Sequence, residues 1–230
     1  IKLLKKMELV ETPRKEKTIH FSFPPVNRSG SQVVSLEGIS KGFSDHTLYQ
    51  EVNLQVTRGD RIAVLGPNGC GKTTLLKIMA GELSPDHGSV TLGQGVEPSY
   101  FAQHHSDTLN PRKTVLEEVS SVVPDATIGY VRSVCGAFLF SGSEVEKPVR
   151  VLSGGEKARV SLARILVRPG NLMLMDEPTN HLDIESSEKL ISALEDFEGT
   201  LVFVSHNQSF IHRLATKIWD IRNQEVVSYP

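Results

Sequence analysis

The stretch from Gly66 to Thr73 constrains this chain more than any other. It matches the pattern GxxxxGK[ST], directly after a strand-like segment at 61–65 that is apolar from Ile62 on, and directly before a segment with helical character. Glycines let backbone N–H groups turn inward around phosphates, the start of a helix adds positive potential, and the lysine and hydroxyl reach the outer phosphates and Mg²⁺. A glycine turn without function is the alternative, and the position between strand and helix disfavours it. The predicted phosphate-binding residues are Gly66, Pro67, Asn68, Gly69, Cys70, Gly71, Lys72, Thr73 and Thr74.

The base of the nucleotide is indicated by a tetrapeptide that the chain lacks. No Asn-Lys-x-Asp, the guanine-reading sequence expected of a GTPase, follows the loop. We therefore predict ATP, bound with Mg²⁺, as the ligand. Phe43 lies upstream and is suited to stacking on adenine, although as one of nine phenylalanines it is equally suited to the core.

Two adjacent carboxylates follow a second apolar run. Asp176 and Glu177 come directly after residues 172–175, and ligands bind beyond the carboxyl ends of strands in open α/β sheets. One carboxylate can hold Mg²⁺ while the next polarises the attacking water. The alternative for such a pair is a helix cap. With the phosphate loop present, we predict that Asp176 and Thr73 bind the metal and that Glu177 is the catalytic base of an ATPase.

Two further polar residues stand at the ends of predicted strands. Gln103 follows Phe101-Ala102 and could contact Mg²⁺ or the attacking water, while His206 follows the apolar run 201–204 and could reach the γ-phosphate. A lone His or Gln is more often structural than catalytic. Their assignment to the site therefore depends on the family resemblance described below.

The order of predicted elements is typical of an α/β fold. Two buried-type strands, 172–175 and 201–204, flank a helix from about 184 to 197 that Asp183 is placed to cap. Such alternation favours a parallel sheet. Further strands are predicted at 33–39, 54–56, 61–65, 89–92 and 99–103, and further helices at 114–123, 127–140 and 156–167.

Composition limits the classes of function. With 39% hydrophobic and 23% charged residues and a net charge of −2, the chain is typical of a globular protein without the basic field of most nucleic-acid binders. No run approaches the roughly 20 apolar residues of a membrane span, so we predict no integral membrane segment and a cytoplasmic location. Residues 1–32 combine helical spacing of apolar residues with prolines, and we interpret them as a helix end and linker, with a solvated tail as the alternative.

The segment Leu152-Ser153-Gly154-Gly155-Glu156, ahead of an amphipathic helix, resembles the signature motif of ATP-binding-cassette proteins. The resemblance implies an α/β P-loop NTPase with a mostly parallel core sheet, an antiparallel β-subdomain and a helical subdomain at about 108–168. It also implies a second cassette as partner, because in the family the signature of one domain closes over the nucleotide of the other. The same resemblance makes Phe43 the adenine-stacking residue, Gln103 the Q-loop, 180–183 the D-loop and His206 the switch histidine.

The sequence Asp-Glu-Pro-Thr-Asn-His-Leu-Asp at 176–183 is similar to the ABC-F form of this segment. Residues 1–25 look like the linker between tandem ABC-F cassettes, which makes 33–230 a second cassette and 1–32 the linker end. One departure is Asn207-Gln208, where ABC-F proteins usually carry Asp-Arg. ABC-F proteins have no membrane domain and act on ribosomes near the tRNA exit site, so a ribosome with tRNA is the implied partner. A transporter subunit and a DNA-associated cassette are the alternatives.

Overall fold

The structure is a computed structural model that describes residues 23–44, 46–102, 109–180 and 182–230. Gln103 and the predicted helix end near the N-terminus lie outside these ranges. The strands are β1 (Gln32–Phe43), β2 (His46–Thr57), β3 (Arg61–Leu65), β4 (His87–Leu92), β5 (Pro98–Phe101), β6 (Leu172–Asp176), β7 (Thr200–Val204), β8 (Lys217–Arg222) and β9 (Glu225–Tyr229). The helices are α1 (Lys72–Met79), α2 (Val115–Ser120), α3 (Ile128–Ala137), α4 (Gly154–Leu166), α5 (Ile184–Glu195) and α6 (Gln208–Leu214).

Two sheets organise the described residues. The central sheet has the order β5-β6-β7-β3-β8-β9, in which all neighbours are parallel except the antiparallel pair β8 and β9. The second sheet is antiparallel with the order β2-β1-β4, and α2, α3 and α4 lie between β5 and β6 in the chain. The predicted fold class is therefore confirmed. The predicted domain bounds at 32/33 and 108/168 stay predictions.

The core lies on both faces of the central sheet. Along β6, Met173 and Met175 belong to the hydrophobic cluster on the helical side, while Leu172 and Leu174 belong to the cluster shared with α1 and the antiparallel sheet. This alternation follows from the two-residue period of a strand. Because every residue of β6 is buried, its carboxyl end is held rigidly where the acidic pair begins.

Helix ends follow local capping chemistry. Asp183 caps α5 through its Oδ1, which accepts a hydrogen bond from Ser186 N at 2.7 Å, so that predicted cap is confirmed. α3 ends at Ala137 rather than at the predicted residue 140, because Leu139 adopts a left-handed φ of 65° and turns the chain. α4 begins two residues earlier than predicted, at Gly154.

The N-terminal part of the described chain lies against the hydrophobic core. Phe23 packs edge-on against Phe197 with ring centroids 5.2 Å apart. The side chain of Asn171 donates hydrogen bonds to Asn27 O at 2.9 Å and to Gly95 O at 2.8 Å. In the ranges that the structure describes, no helix is long and apolar enough to cross a membrane.

Candidate active site

The phosphate loop connects β3 to α1 and requires glycine at two positions. Gly66 and Gly71 adopt φ values of 145° and 106°, which side chains disfavour. A Cβ on Gly66 would lie 2.6 Å from Ile221 O, and one on Gly71 would lie 2.9 Å from a ring carbon of Tyr49. No side chain caps the start of α1, so its first N–H groups are available to an anion.

Lys72 places its ammonium inside the loop. Nζ donates hydrogen bonds to Gly66 O and Pro67 O, both at 2.9 Å, and the residue is only 9% exposed. A buried positive charge beside an uncapped helix start attracts a phosphate chain strongly. The loop therefore has the geometry and the charge of an anion site.

The acidic pair lies at the carboxyl end of β6. Asp176 and Glu177 are both buried, and Glu177 adopts an unusual φ of 51° while its N–H donates to Val204 O at 2.9 Å. Its Oε2 accepts a hydrogen bond from the backbone N–H of His206 at 3.2 Å. Oε1 lies 3.3 Å from His206 Nε2 without the alignment of a hydrogen bond and, within the described ranges, accepts no other. A buried carboxylate oxygen with this freedom can orient a water molecule.

A cleft of about 630 Å³ joins these elements. Its walls come from the tip of the β1–β2 hairpin, the phosphate loop, and the ends of β6 and β7. They comprise Phe43, His46, Leu48, Asn68, Gly69, Gly71, Lys72, Thr73, Thr74, Asp176, Glu177, Asn180, Val204 and His206.

The predicted residues divide into those in the cleft and those outside it. Phe43, the front of the phosphate loop, both carboxylates and His206 line the cleft together. Gly66, Pro67 and Cys70 form the back of the loop and are not part of its lining. The Thr73 hydroxyl and the Asp176 carboxylate are hard oxygen donors of the kind that Mg²⁺ prefers, and they face the same space, so the donor set fits this metal.

The predicted signature segment is not in the cleft. Ser153 and Gly154 are exposed at the start of α4. Ser153 Oγ accepts from Glu156 N at 3.3 Å, and Glu156 Oε2 accepts from Ser153 N at 2.8 Å. These backbone and hydroxyl donors hold the pKa of Glu156 below its usual value. This capping box uses two of the four free N–H groups of the helix start and leaves those of Gly154 and Gly155 for another acceptor.

Asn207 has a structural role beside the predicted switch histidine. Its Oδ1 accepts from Phe210 N at 3.1 Å and so caps α6. Aspartate caps helices equally well, so the departure from Asp at this position preserves the local contact. The side chain of His206 remains 67% exposed on the cleft side.

Besides Val204 at the end of β7, two cleft residues of the hairpin, His46 and Leu48, are missing from the sequence predictions. Both lie on β2 near the hairpin tip. The signal that could have found them is the hairpin itself, since a strand that returns from Phe43 must place its first residues beside that ring.

Comparison with known proteins places this geometry in a family context. The ABC transporter family pattern matches residues 49–180. The chain is 38% identical over 227 residues to ABC transporter F family member 2 of Arabidopsis thaliana, covering 98% of this chain and 34% of the relative. It is 40% identical over 230 residues to the putative ATP-binding protein YdiF of Bacillus subtilis, covering 99% of this chain and 36% of the relative. The chain thus spans about a third of the length of these curated relatives.

Solved structures share the fold. The dimeric structure of MJ0796, a bacterial ABC transporter cassette, superposes with a TM-score of 0.72 at 21% identity, covering 85% of this chain and 97% of that one. A post-hydrolysis state of the same cassette bound to ADP and Pi gives a TM-score of 0.71 at 23% identity, with the same coverage of both chains.

Proposed function

Because the chain belongs to the ABC transporter family of ATP-hydrolysing cassettes, we propose that it binds Mg-ATP in the hairpin–loop cleft and hydrolyses it when a second cassette closes over the nucleotide. The predicted resemblance to the F branch of the family is confirmed by relatives such as ABC transporter F family member 2 of Arabidopsis thaliana. The separation of the exposed signature segment from the cleft carries the proposal for a second cassette.

The residues of the cleft divide the chemistry between them. The loop N–H groups and Lys72 hold the phosphates, while Thr73 and Asp176 would hold Mg²⁺, which when bound would neutralise charge on the phosphate oxygens. Glu177 takes a proton from the attacking water through its buried Oε1. The backbone N–H of His206 keeps the carboxylate oriented through Oε2, and the His206 side chain contacts the γ-phosphate. Gln103 is proposed as a further ligand of the metal or the water.

The start of α4 supplies half of a phosphate site to the partner. Its capping box leaves the N–H groups of Gly154 and Gly155 unused, and a helix start of this kind binds anions. Since Ser153 and Gly154 are exposed and do not line the chain's own cleft, they serve a nucleotide bound elsewhere. The phosphate loop of an opposed cassette is the acceptor that we propose.

The proposed site of action is the ribosome. The F-family relatives and the sequence at 176–183 support a cytoplasmic, ribosome-associated ATPase that acts in translation or antibiotic protection, with tRNA nearby. ATP would close the pair of cassettes and hydrolysis would reopen them. The transporter and DNA-associated alternatives become outcomes of the test below.

The test uses Glu177→Gln in the full protein that carries this chain, together with the equivalent change in its other cassette. This change removes the base but keeps the shape of the side chain, so the ATP-closed state should accumulate. The matched control is Glu198→Gln, the same change at an exposed position outside the cleft. Lysates are sedimented with ATP or ADP, and the pelleted fractions are analysed.

We expect the Glu177→Gln protein to pellet with ribosomes in ATP but not in ADP, while the control behaves as the wild type. Recovery with membranes and an integral partner would overturn the ribosome proposal in favour of transport. Recovery with DNA would overturn it in favour of the DNA-associated alternative.

A further inference from the structure

The tip of the β1–β2 hairpin places two residues with ring side chains opposite each other. Phe43 and His46 are directly paired in the antiparallel register, and Ser44, which follows Phe43, adopts a left-handed φ of 50°. Directly opposed residues of an antiparallel pair lie on the same face of the sheet, with Cβ atoms roughly 5 Å apart. Both residues line the cleft. The two side chains therefore leave the same face of the hairpin, on the side where the nucleotide is proposed to bind.

The hairpin tip is fixed by contacts outside the cleft. Lys41 Nζ lies 2.6 Å from Asp86 Oδ1 and 5.3 Å from the centroid of the Phe43 ring. Gly42 N donates to Asp86 Oδ2 at 2.8 Å. Asp86 thus fixes the end of β1 through two contacts, one to the backbone of Gly42 and one to the side chain of Lys41. A binding surface that is ordered in advance loses less conformational entropy when a ligand arrives.

We propose that His46 is a second base-contacting residue, which forms with Phe43 an aromatic corner for the adenine ring of ATP. This inference rests on the proposed function, because it assigns a further residue to the same nucleotide site. Phe43 is 52% exposed and offers its ring as a stacking surface. His46 meets the edge of the stacked base with a second ring and with ring nitrogens that can donate to or accept from purine nitrogens.

The position of His46 distinguishes it from the phosphate-binding residues. The phosphate contacts come from the loop after β3 and from Lys72. His46 belongs to the hairpin and is paired with the stacking residue. Its contribution should therefore depend on the presence of a base and not on the phosphate chain.

The experiment compares His46→Ala with His46→Tyr, which keeps a ring, and with the control His212→Ala at an exposed position on α6 outside the cleft. Binding of Mg-ATP and of Mg-tripolyphosphate, which has no base, is measured by competition with a fluorescent ATP analogue. Phe43→Ala serves as the reference for loss of stacking. Thermal unfolding of each variant checks that the fold is retained.

We expect His46→Ala to weaken ATP binding roughly three- to tenfold, the size of one aromatic contact, and to change tripolyphosphate binding less than about twofold. His46→Tyr and His212→Ala should stay close to wild type. Unchanged ATP affinity in His46→Ala, or an equal loss for ATP and tripolyphosphate, would overturn the aromatic corner while leaving ATP binding by the wild type intact. A wild-type chain that does not bind ATP would instead overturn the proposed function and this inference with it.

Discussion

Gly154 offers a substitution that separates folding from function. It is the first residue of α4, and a Cβ built on it meets no atom within 4 Å. Its φ lies outside the left-handed region, so the chain itself tolerates alanine or aspartate there. Under the proposed function, however, the space beside this residue receives a phosphate from the opposed cassette.

The expected effects on stability and activity have opposite signs. Replacing glycine by alanine in a helix stabilises it by up to about 1 kcal/mol, which raises the Tm of a domain of this size by roughly 1–4 °C. Aspartate at the same place also interacts favourably with the positive end of the helix. The methyl group of Gly154→Ala would occupy the space of the phosphate and so break one hydrogen bond to it. Loss of one charge-assisted hydrogen bond to phosphate costs roughly 1.5–3 kcal/mol, so this variant should lower the ATPase rate about ten- to a hundredfold. The carboxylate of Gly154→Asp should lower it further by repelling the phosphate.

The assay pairs calorimetric unfolding with steady-state ATP hydrolysis by the full protein that carries this chain, at saturating Mg-ATP. Gly129 is the matched control, because it lies in the first turn of α3, and a Cβ there also meets no atom within 4 Å. Gly129→Ala and Gly129→Asp should keep their ATPase rate. Full activity in Gly154→Asp, with unfolding like that of the wild type, would refute the reasoning that this helix start binds a nucleotide.

Two further predictions concern stability. Asn207→Ala should lower the free energy of unfolding by about 1 kcal/mol through loss of the α6 cap, whereas Asn207→Asp should leave it nearly unchanged. Urea denaturation measures both variants, and an equal loss of stability in the two would contradict a capping role. Burial raises the pKa of Asp60, but hydrogen bonds from Lys217 and from a backbone N–H outweigh it and hold the pKa below its usual value. Because the folded-state pKa is the lower one, the stabilisation is complete above the unfolded-state pKa near 4 and is lost as the pH falls through the folded-state pKa. Asp60→Asn should therefore flatten the acid side of a stability–pH curve, and an unchanged curve would contradict this.

The phosphate loop and the acidic pair could be predicted because their signals are local. The apolar runs before Gly66 and before Asp176 are each five or fewer residues long. The first is followed at once by the phosphate loop, and the second by the two carboxylates. In a parallel sheet, strand carboxyl ends meet at one edge. The structure places both groups at one cleft for this reason.

Other features depend on contacts that are distant in sequence. β1 pairs with β4 across about fifty residues, and β8 joins the sheet beside β3; neither pairing has a local signal. α6 is seven residues long, too short for a reliable helical period. His46 belongs to no sequence motif, and only its pairing with Phe43 in the sheet reveals that it lies beside the cleft.

The two glycine-rich helix starts explain why one chain alone should be a poor ATPase. At α1 no side chain caps the helix and Lys72 fills the loop, so we expect this end to bind phosphate on its own. At α4 the capping box already provides acceptors for the backbone N–H groups of Ser153 and Glu156. Only the N–H groups of Gly154 and Gly155 remain, and no lysine stands in this segment as Lys72 does in the phosphate loop. An anion site with two donors and an exposed face is weak until a second set of donors surrounds the same phosphate. Under the proposed function, the free energy of ATP binding would therefore be expressed as association of two cassettes, and loss of the γ-phosphate would remove the charge that both helix starts share.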